Sequence, residues 1–172
     1  MYIDILEFVQ NENELIFQKS GSCNIDNFDS QIELLDEVRY NLLISKVDSE
    51  LILNIDLDYS YACPCDRCLT RVENDQSFSY SAKVINSSDF NEEEESEDED
   101  LVFVDSYKLD ICNLVRELVI LSIPTKNLCE DSCQGICPQC GKNLNEGTCN
   151  CNKDNTDIRF SVLKDFKFDE EV

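Results

Sequence analysis

The longest stretch of alternating apolar and polar side chains, Leu51-Ile52-Leu53-Asn54-Ile55-Asp56-Leu57-Asp58-Tyr59, repeats with a period of two over most of its length, and Gln76-Ser77-Phe78-Ser79-Tyr80-Ser81-Ala82-Lys83-Val84 does the same. That period belongs to a strand with one face buried and the other in water, so both runs are predicted as antiparallel strands. Shorter runs predict strands at Tyr2-Ile3-Asp4-Ile5-Leu6, Glu14-Leu15-Ile16-Phe17, Arg39-Tyr40-Asn41-Leu42-Leu43-Ile44 and Leu101-Val102-Phe103-Val104. The period then changes. Ile111, Cys112, Val115, Leu118 and Val119 return at helical spacing, and Pro124 stops the pattern. One principal helix is expected at about 109–122, packed on the sheet. Thr156 to Phe166 predicts a short closing helix laid back on the body. The expected fold class is α+β: a mainly antiparallel β-sheet or partly closed barrel with one principal helix and a C-terminal cysteine-rich segment. The β-rich body is assigned to residues 1–124, and the cysteine-rich segment with its short helix to 125–172.

Charge divides the chain along the same line. The formal charge is −23 over 172 residues. Residues 1–125 hold 28 acidic side chains against 8 basic ones, whereas 126–167 hold 6 of each. Nucleic-acid binding draws its affinity chiefly from Lys and Arg, so the average surface repels a phosphate backbone. Any phosphate contact falls to Lys126, Lys142, Lys153, Arg159, Lys164 and Lys167. Residues 89–100 carry nine Asp or Glu and no base, a composition too repulsive to pack, which predicts a solvated, mobile loop. The alternative is a mimic of polyanionic RNA that holds a basic protein.

Eleven cysteines change the picture further. Cys63, Cys65 and Cys68 form one group, and Cys129, Cys133, Cys137, Cys140, Cys149 and Cys151 a second. The first follows directly on a predicted strand and precedes another, so it is expected to cap a hairpin. Paired cysteines at two- or three-residue spacing are what a tetrahedral thiolate site takes from two tight turns. Gly135, Gly141 and Gly147, three of only four glycines, lie in the second group, where a metal turn needs positive φ. Cys65, Cys68, Cys129, Cys133, Cys137, Cys140, Cys149 and Cys151 are the candidate ligands, for one or two structural zinc ions. One partition closes Cys137, Cys140, Cys149 and Cys151 on themselves and leaves Cys65, Cys68, Cys129 and Cys133 to clamp the hairpin to the chain after the helix. The other pairs Cys65/Cys68 with Cys137/Cys140 as a ribbon, and spacing does not choose between them. Cys63 and Cys23 are expected as spare thiols, and Cys112 as a core thiol on the helix stripe.

Iron–sulfur ligation is the chief rival to zinc, because the run beginning at Cys129 is dense enough for it, but the run does not follow the ferredoxin spacings. No βαβ pattern surrounds the paired cysteines, as a thiol oxidoreductase would require. Histidine is absent, which removes imidazole as ligand and as general base. The first residues lack a basic region followed by an apolar run, and no apolar stretch has the length of a membrane span. With an odd number of cysteines, this predicts a reducing cytoplasm and thiolate ligands in preference to a disulfide framework.

Cys65-Asp66-Arg67-Cys68-Leu69, the helical stretch Leu109 to Pro124, the run Leu128-Cys129-x3-Cys133-Gln134-Gly135-Ile136-Cys137-Pro138-x-Cys140-Gly141-Lys142-Asn143-Leu144-Asn145, and Cys149-x-Cys151 occur in the order seen in a known family. The chain resembles the YceD proteins, the large ribosomal RNA subunit accumulation proteins. Asp157-Ile158-Arg159 is similar to that family's Asp-Pro-Arg, with Ile158 where proline is usual. The resemblance implies a non-enzymatic role in the synthesis, processing or stability of large-subunit (23S) ribosomal RNA. The charge adds an expectation about partners: ribosomal precursor particles or a basic ribosomal or processing protein, with direct RNA contact left open, and neither a membrane nor a small-molecule substrate. The alternatives are an acidic adaptor for basic proteins outside ribosome biogenesis, and a thiol redox protein.

Overall fold

The computed structural model describes residues 1–25, 31–48, 50–88 and 100–151. Its elements are β1 (Tyr2–Asp4), α1 (Leu6–Gln10), β2 (Ile16–Cys23), β3 (Glu33–Leu34), β4 (Val38–Val47), β5 (Glu50–Pro64), β6 (Arg71–Asn86), β7 (Leu101–Val104), β8 (Lys108–Asp110) and α2 (Ile111–Ser122). A six-stranded sheet runs β2-β4-β5-β6-β7, with β3 also paired to β5, and β1 pairs separately with β8. The protein is mostly β-sheet with two helices among the described residues. The sheet is open, with β2 and β7 at its edges, so the partly closed barrel does not form.

Alternation drives the core. On β5, Leu53, Ile55, Leu57 and Tyr59 are buried while Asn54, Asp56 and Asp58 face water. Val38, Tyr40, Leu42 and Ile44 of β4 join the same core, and α2 adds Ile111, Leu114, Val115, Leu118 and Val119. Tyr59 Oη and Ser122 Oγ lie 2.7 Å apart, tying the end of α2 to β5.

All main-sheet pairings are antiparallel except β6 with β7, which run parallel from Lys83↔Leu101 to Asn86↔Val104. Parallel neighbours need a crossover of a dozen or more residues, and the interval between these two strands has that length. The acidic run predicted at 89–100 lies outside the described residues except for Asp100, whose carbonyl accepts the Lys83 N–H at 2.9 Å. The closing helix predicted at 156–166 lies outside them entirely.

Two expectations are corrected. The first strand stops at Asp4, whose Oδ1 accepts the Leu6 N–H at 2.9 Å, and this side-chain turn starts α1. Cys23, expected as a spare, and Cys112, expected as a core thiol, form a disulfide that joins the end of β2 to the first turn of α2 across a Cα–Cα distance of 5.6 Å. Their separation of 89 residues in sequence leaves no spacing signal to read. No described helix is long and apolar enough to cross a membrane.

Candidate metal centre

The β5–β6 hairpin carries the first cysteine pair at its tip. Its last cross-strand pair is Pro64↔Arg71, after which the Cys65 N–H donates to Thr70 O at 2.8 Å and the Leu69 N–H to Cys65 O at 2.9 Å. Leu69 adopts φ 62°, which closes the turn. Chain that has passed α2 and Pro124 comes back to this tip. The Asp66 N–H donates to Asn127 O at 2.9 Å, and Asp66 Oδ2 accepts the Asn127 N–H at 2.6 Å. Arg67 Nη1 donates to Cys133 O at 2.9 Å and Asp131 O at 3.3 Å, so the guanidinium clamps the loop bearing Cys129 and Cys133.

The sulfurs of Cys65, Cys68, Cys129 and Cys133 consequently lie within 4.8 Å of one another. Cys65 Sγ is 3.8 Å from Cys133 Sγ, and Cys68 Sγ is 3.6 Å from Cys129 Sγ. Four sulfurs placed about 2.3 Å from a tetrahedral zinc stand about 3.8 Å apart, so the residues fit such an ion. Three of the four are buried, with Cys129 exposed. Burial alone would raise the Cys65 thiol, but N–H groups of Cys68, Arg67 and Cys129 point at its sulfur and bring it down to about 6. Cys133 is lowered chiefly by the Asn145 amide. Cys129, hydrogen-bonded to the Cys133 sulfur and partly desolvated, is pushed up to about 12. The donors around Cys65 and Cys133 thus shift both thiols in the direction that ligation requires.

Cys137, Cys140, Cys149 and Cys151 form a second group whose sulfurs also lie within 4.8 Å of one another. The Gly141 N–H donates to Cys137 O and the Cys137 N–H to Lys142 O, both at 2.8 Å, while Gly141 takes φ 73°. Backbone N–H groups of Cys140 and Gln139 bring the Cys137 thiol down to about 6, whereas hydrogen bonding to the Cys140 sulfur pushes Cys151 up to about 12. Lys142 Nζ donates to Thr148 O at 2.8 Å, holding the Cys149 strand of the loop to the turn. This group is the more open one, since only Cys137 is buried.

The structure therefore brings together the four-and-four grouping and keeps the Cys65/Cys68 pair apart from Cys137/Cys140, so the ribbon arrangement is absent. Cys63 is a buried free thiol in the body core, raised by burial and then by Asp66 and Cys65. Sequence reasoning missed Arg67 as a clamp and Asn145 as a sulfur partner. Their signal was their place inside the cysteine motifs, with no chemistry attached to it. Of the candidate phosphate contacts, Lys153, Arg159, Lys164 and Lys167 lie outside the described residues, and Lys142 is engaged with Thr148.

Residues 53–167 match the family described as "Large ribosomal RNA subunit accumulation protein YceD". That span takes in β5 from Leu53 onward, β6, α2 and all eight candidate ligands. A protein of Arabidopsis thaliana named "Large ribosomal RNA subunit accumulation protein YCED homolog 1, chloroplastic" is 36% identical over 56 residues, which amount to 33% of this chain and 17% of the plant protein. The chain thus matches under a fifth of that relative's length. No solved structure matches significantly. With two cysteine groups shaped to hold metal ions inside a family match that covers most of its length, the chain belongs to the YceD family.

Proposed function

We propose that this protein is a non-enzymatic factor in the accumulation of large-subunit ribosomal RNA, that each of its two four-cysteine groups holds one structural zinc ion, and that it engages a basic ribosomal or processing protein on ribosomal precursor particles. The grouping of the eight thiols carries the reading. Each group supplies four sulfurs, which leaves no open position for a reacting water or substrate. A bound zinc would supply cross-links to a segment with few large apolar side chains.

The sheet supports the partner assignment. Among the described residues, its exposed face presents Asp56, Asp58 and Asp75, each carboxylate held by a cross-strand serine: Ser79 at 2.6 Å, Ser77 at 2.6 Å and Ser60 at 2.7 Å. Those bonds fix the carboxylates in place on an acidic surface, suited to Lys- and Arg-rich protein and opposed to bare RNA. The test is sedimentation of the full chain with large-subunit precursor particles at rising salt. Association that falls with salt and with Asp56→Lys plus Asp58→Lys is expected. Absence of association, or preferred binding to RNA stripped of its proteins, would overturn the assignment.

A further inference from the structure

Asn143-Leu144-Asn145 contributes no thiol, yet it joins the two cysteine groups. Ile136 and Asn143 form an antiparallel bridge, and the Leu144 N–H donates to Gly135 O at 2.8 Å, so the turn carrying Cys137 and Cys140 sits at the end of a small hairpin. The chain leaving that hairpin reaches the other group. Asn145 Nδ2 donates to Cys133 Sγ at 3.3 Å, while its Oδ1 accepts the Gln134 N–H at 2.7 Å and its own N–H is held by Asn143 Oδ1 at 3.0 Å. Asn143 Nδ2 lies 3.5 Å from Thr70 Oγ1, which in turn lies 3.3 Å from Cys68 Sγ. One amide therefore touches a sulfur of the first group from a segment hydrogen-bonded to the turn that carries Cys137 and Cys140 of the second.

Four thiolates around a divalent ion leave excess negative charge on sulfur, and an N–H donor aimed at sulfur relieves it. Outer partners of this kind change metal affinity by about 10- to 100-fold. We propose that Asn145 is a positioning residue that couples the two centres: closure of the Cys137 turn holds its amide on Cys133 and so raises the metal affinity of the Cys65/Cys68/Cys129/Cys133 centre. The proposal rests on the two-centre reading above. Coupling of this kind is reciprocal, so loading the first centre equally favours the second.

The experiment is cobalt(II) titration of the full chain, with sulfur-to-metal charge-transfer absorption and competition against a chromophoric chelator. Two ions per wild-type chain are expected. Cys149→Ser with Cys151→Ser removes the second centre and should weaken the first about tenfold. Asn145→Asp keeps an oxygen for Gln134 N–H but replaces the sulfur donor with a carboxylate. It should weaken the first centre by at least as much, and shift its charge-transfer band, with the second centre's spectrum unchanged. Added to Asn145→Asp, the two serine substitutions should cause no further loss at the first centre, the non-additivity of a shared path. Wild-type affinity and spectrum in Asn145→Asp, or full additivity, would overturn the coupling while leaving both centres in place. Fewer than two ions on the wild-type chain would instead end the two-centre reading, and the coupling with it.

Discussion

Strand β5 sends Leu53, Ile55, Leu57, Tyr59 and Tyr61 into a core shared with β4 and α2, whereas a few residues further along Cys65 and Cys68 are buried with Cys133 and, among the described residues, have only Val72 and Leu128 as partly buried apolar company. The first region excludes water with hydrocarbon packed between one face of the sheet and α2. The second has little to exclude it with, and its order comes from hydrogen bonds, positive-φ turns and thiols pointed at one another. A segment of that kind cannot offset its own chain entropy by burial. The two regions of one chain should therefore fail under different insults.

Metal removal should separate them most. Structural zinc in small thiolate domains contributes about 10–16 kcal/mol, so a strong chelator is expected to abolish amide-exchange protection across residues 126–151 and leave it in β4, β5 and the Ala82–Asn86 part of β6. Ile55→Ala is the converse: a loss of about 2–5 kcal/mol in body stability with metal content unchanged. Chelation that melts both regions together would show that the hairpin tip supports the sheet and that the contrast is false.

The contrast also governs what could be read from sequence. Periodicity located β5, β6 and α2, because packing against a core imposes it. Beyond the hairpin of β5 and β6 that the first cysteine group was expected to cap, the pattern said nothing of which strands pair, so the parallel β6–β7 register was hidden, as was the Asp4 turn that converts the end of the first predicted strand into α1. In the cysteine segment, spacing showed which thiols occur in pairs but left two partitions standing. The path of the chain decides which pairs meet: α2 and Pro124 bring Asn127 against Asp66 and Tyr61, and Cys129 and Cys133 arrive beside Cys65 with it. Those contacts are long-range and leave no periodic trace.

The disulfide sharpens the comparison at intermediate size. Cys23–Cys112 closes a loop of 89 residues within the body, a constraint of about 2–4 kcal/mol. Replacing both by alanine should lower the body's denaturation midpoint by that amount and leave the metal content and the 126–151 amides unchanged. Loss of metal in this variant would mean that β2 and α2 transmit strain to the hairpin tip.

The smallest effect tests how closely the cysteine segment is fitted to the body. Gly135 and Gly141 both adopt φ 73°, a conformation that costs an L side chain about 1–2 kcal/mol. Their surroundings differ. A Cβ on Gly141 meets nothing within 4 Å, whereas one on Gly135 stands 3.1 Å from the Arg67 carbonyl oxygen, a backbone atom that also accepts the Ile136 N–H at 3.1 Å. Gly141→Ala should therefore show the backbone term alone, acting in the Cys137 turn and reaching the first centre only through Asn145. Gly135→Ala should add the displacement of Arg67, loosen the clamp on Cys133 and weaken the first centre as well as the second. Metal competition on the two variants measures the difference directly. Equal losses would mean that the contact with the hairpin carries no weight, and that the cysteine segment is held to the body by the shared thiol group and not by its backbone.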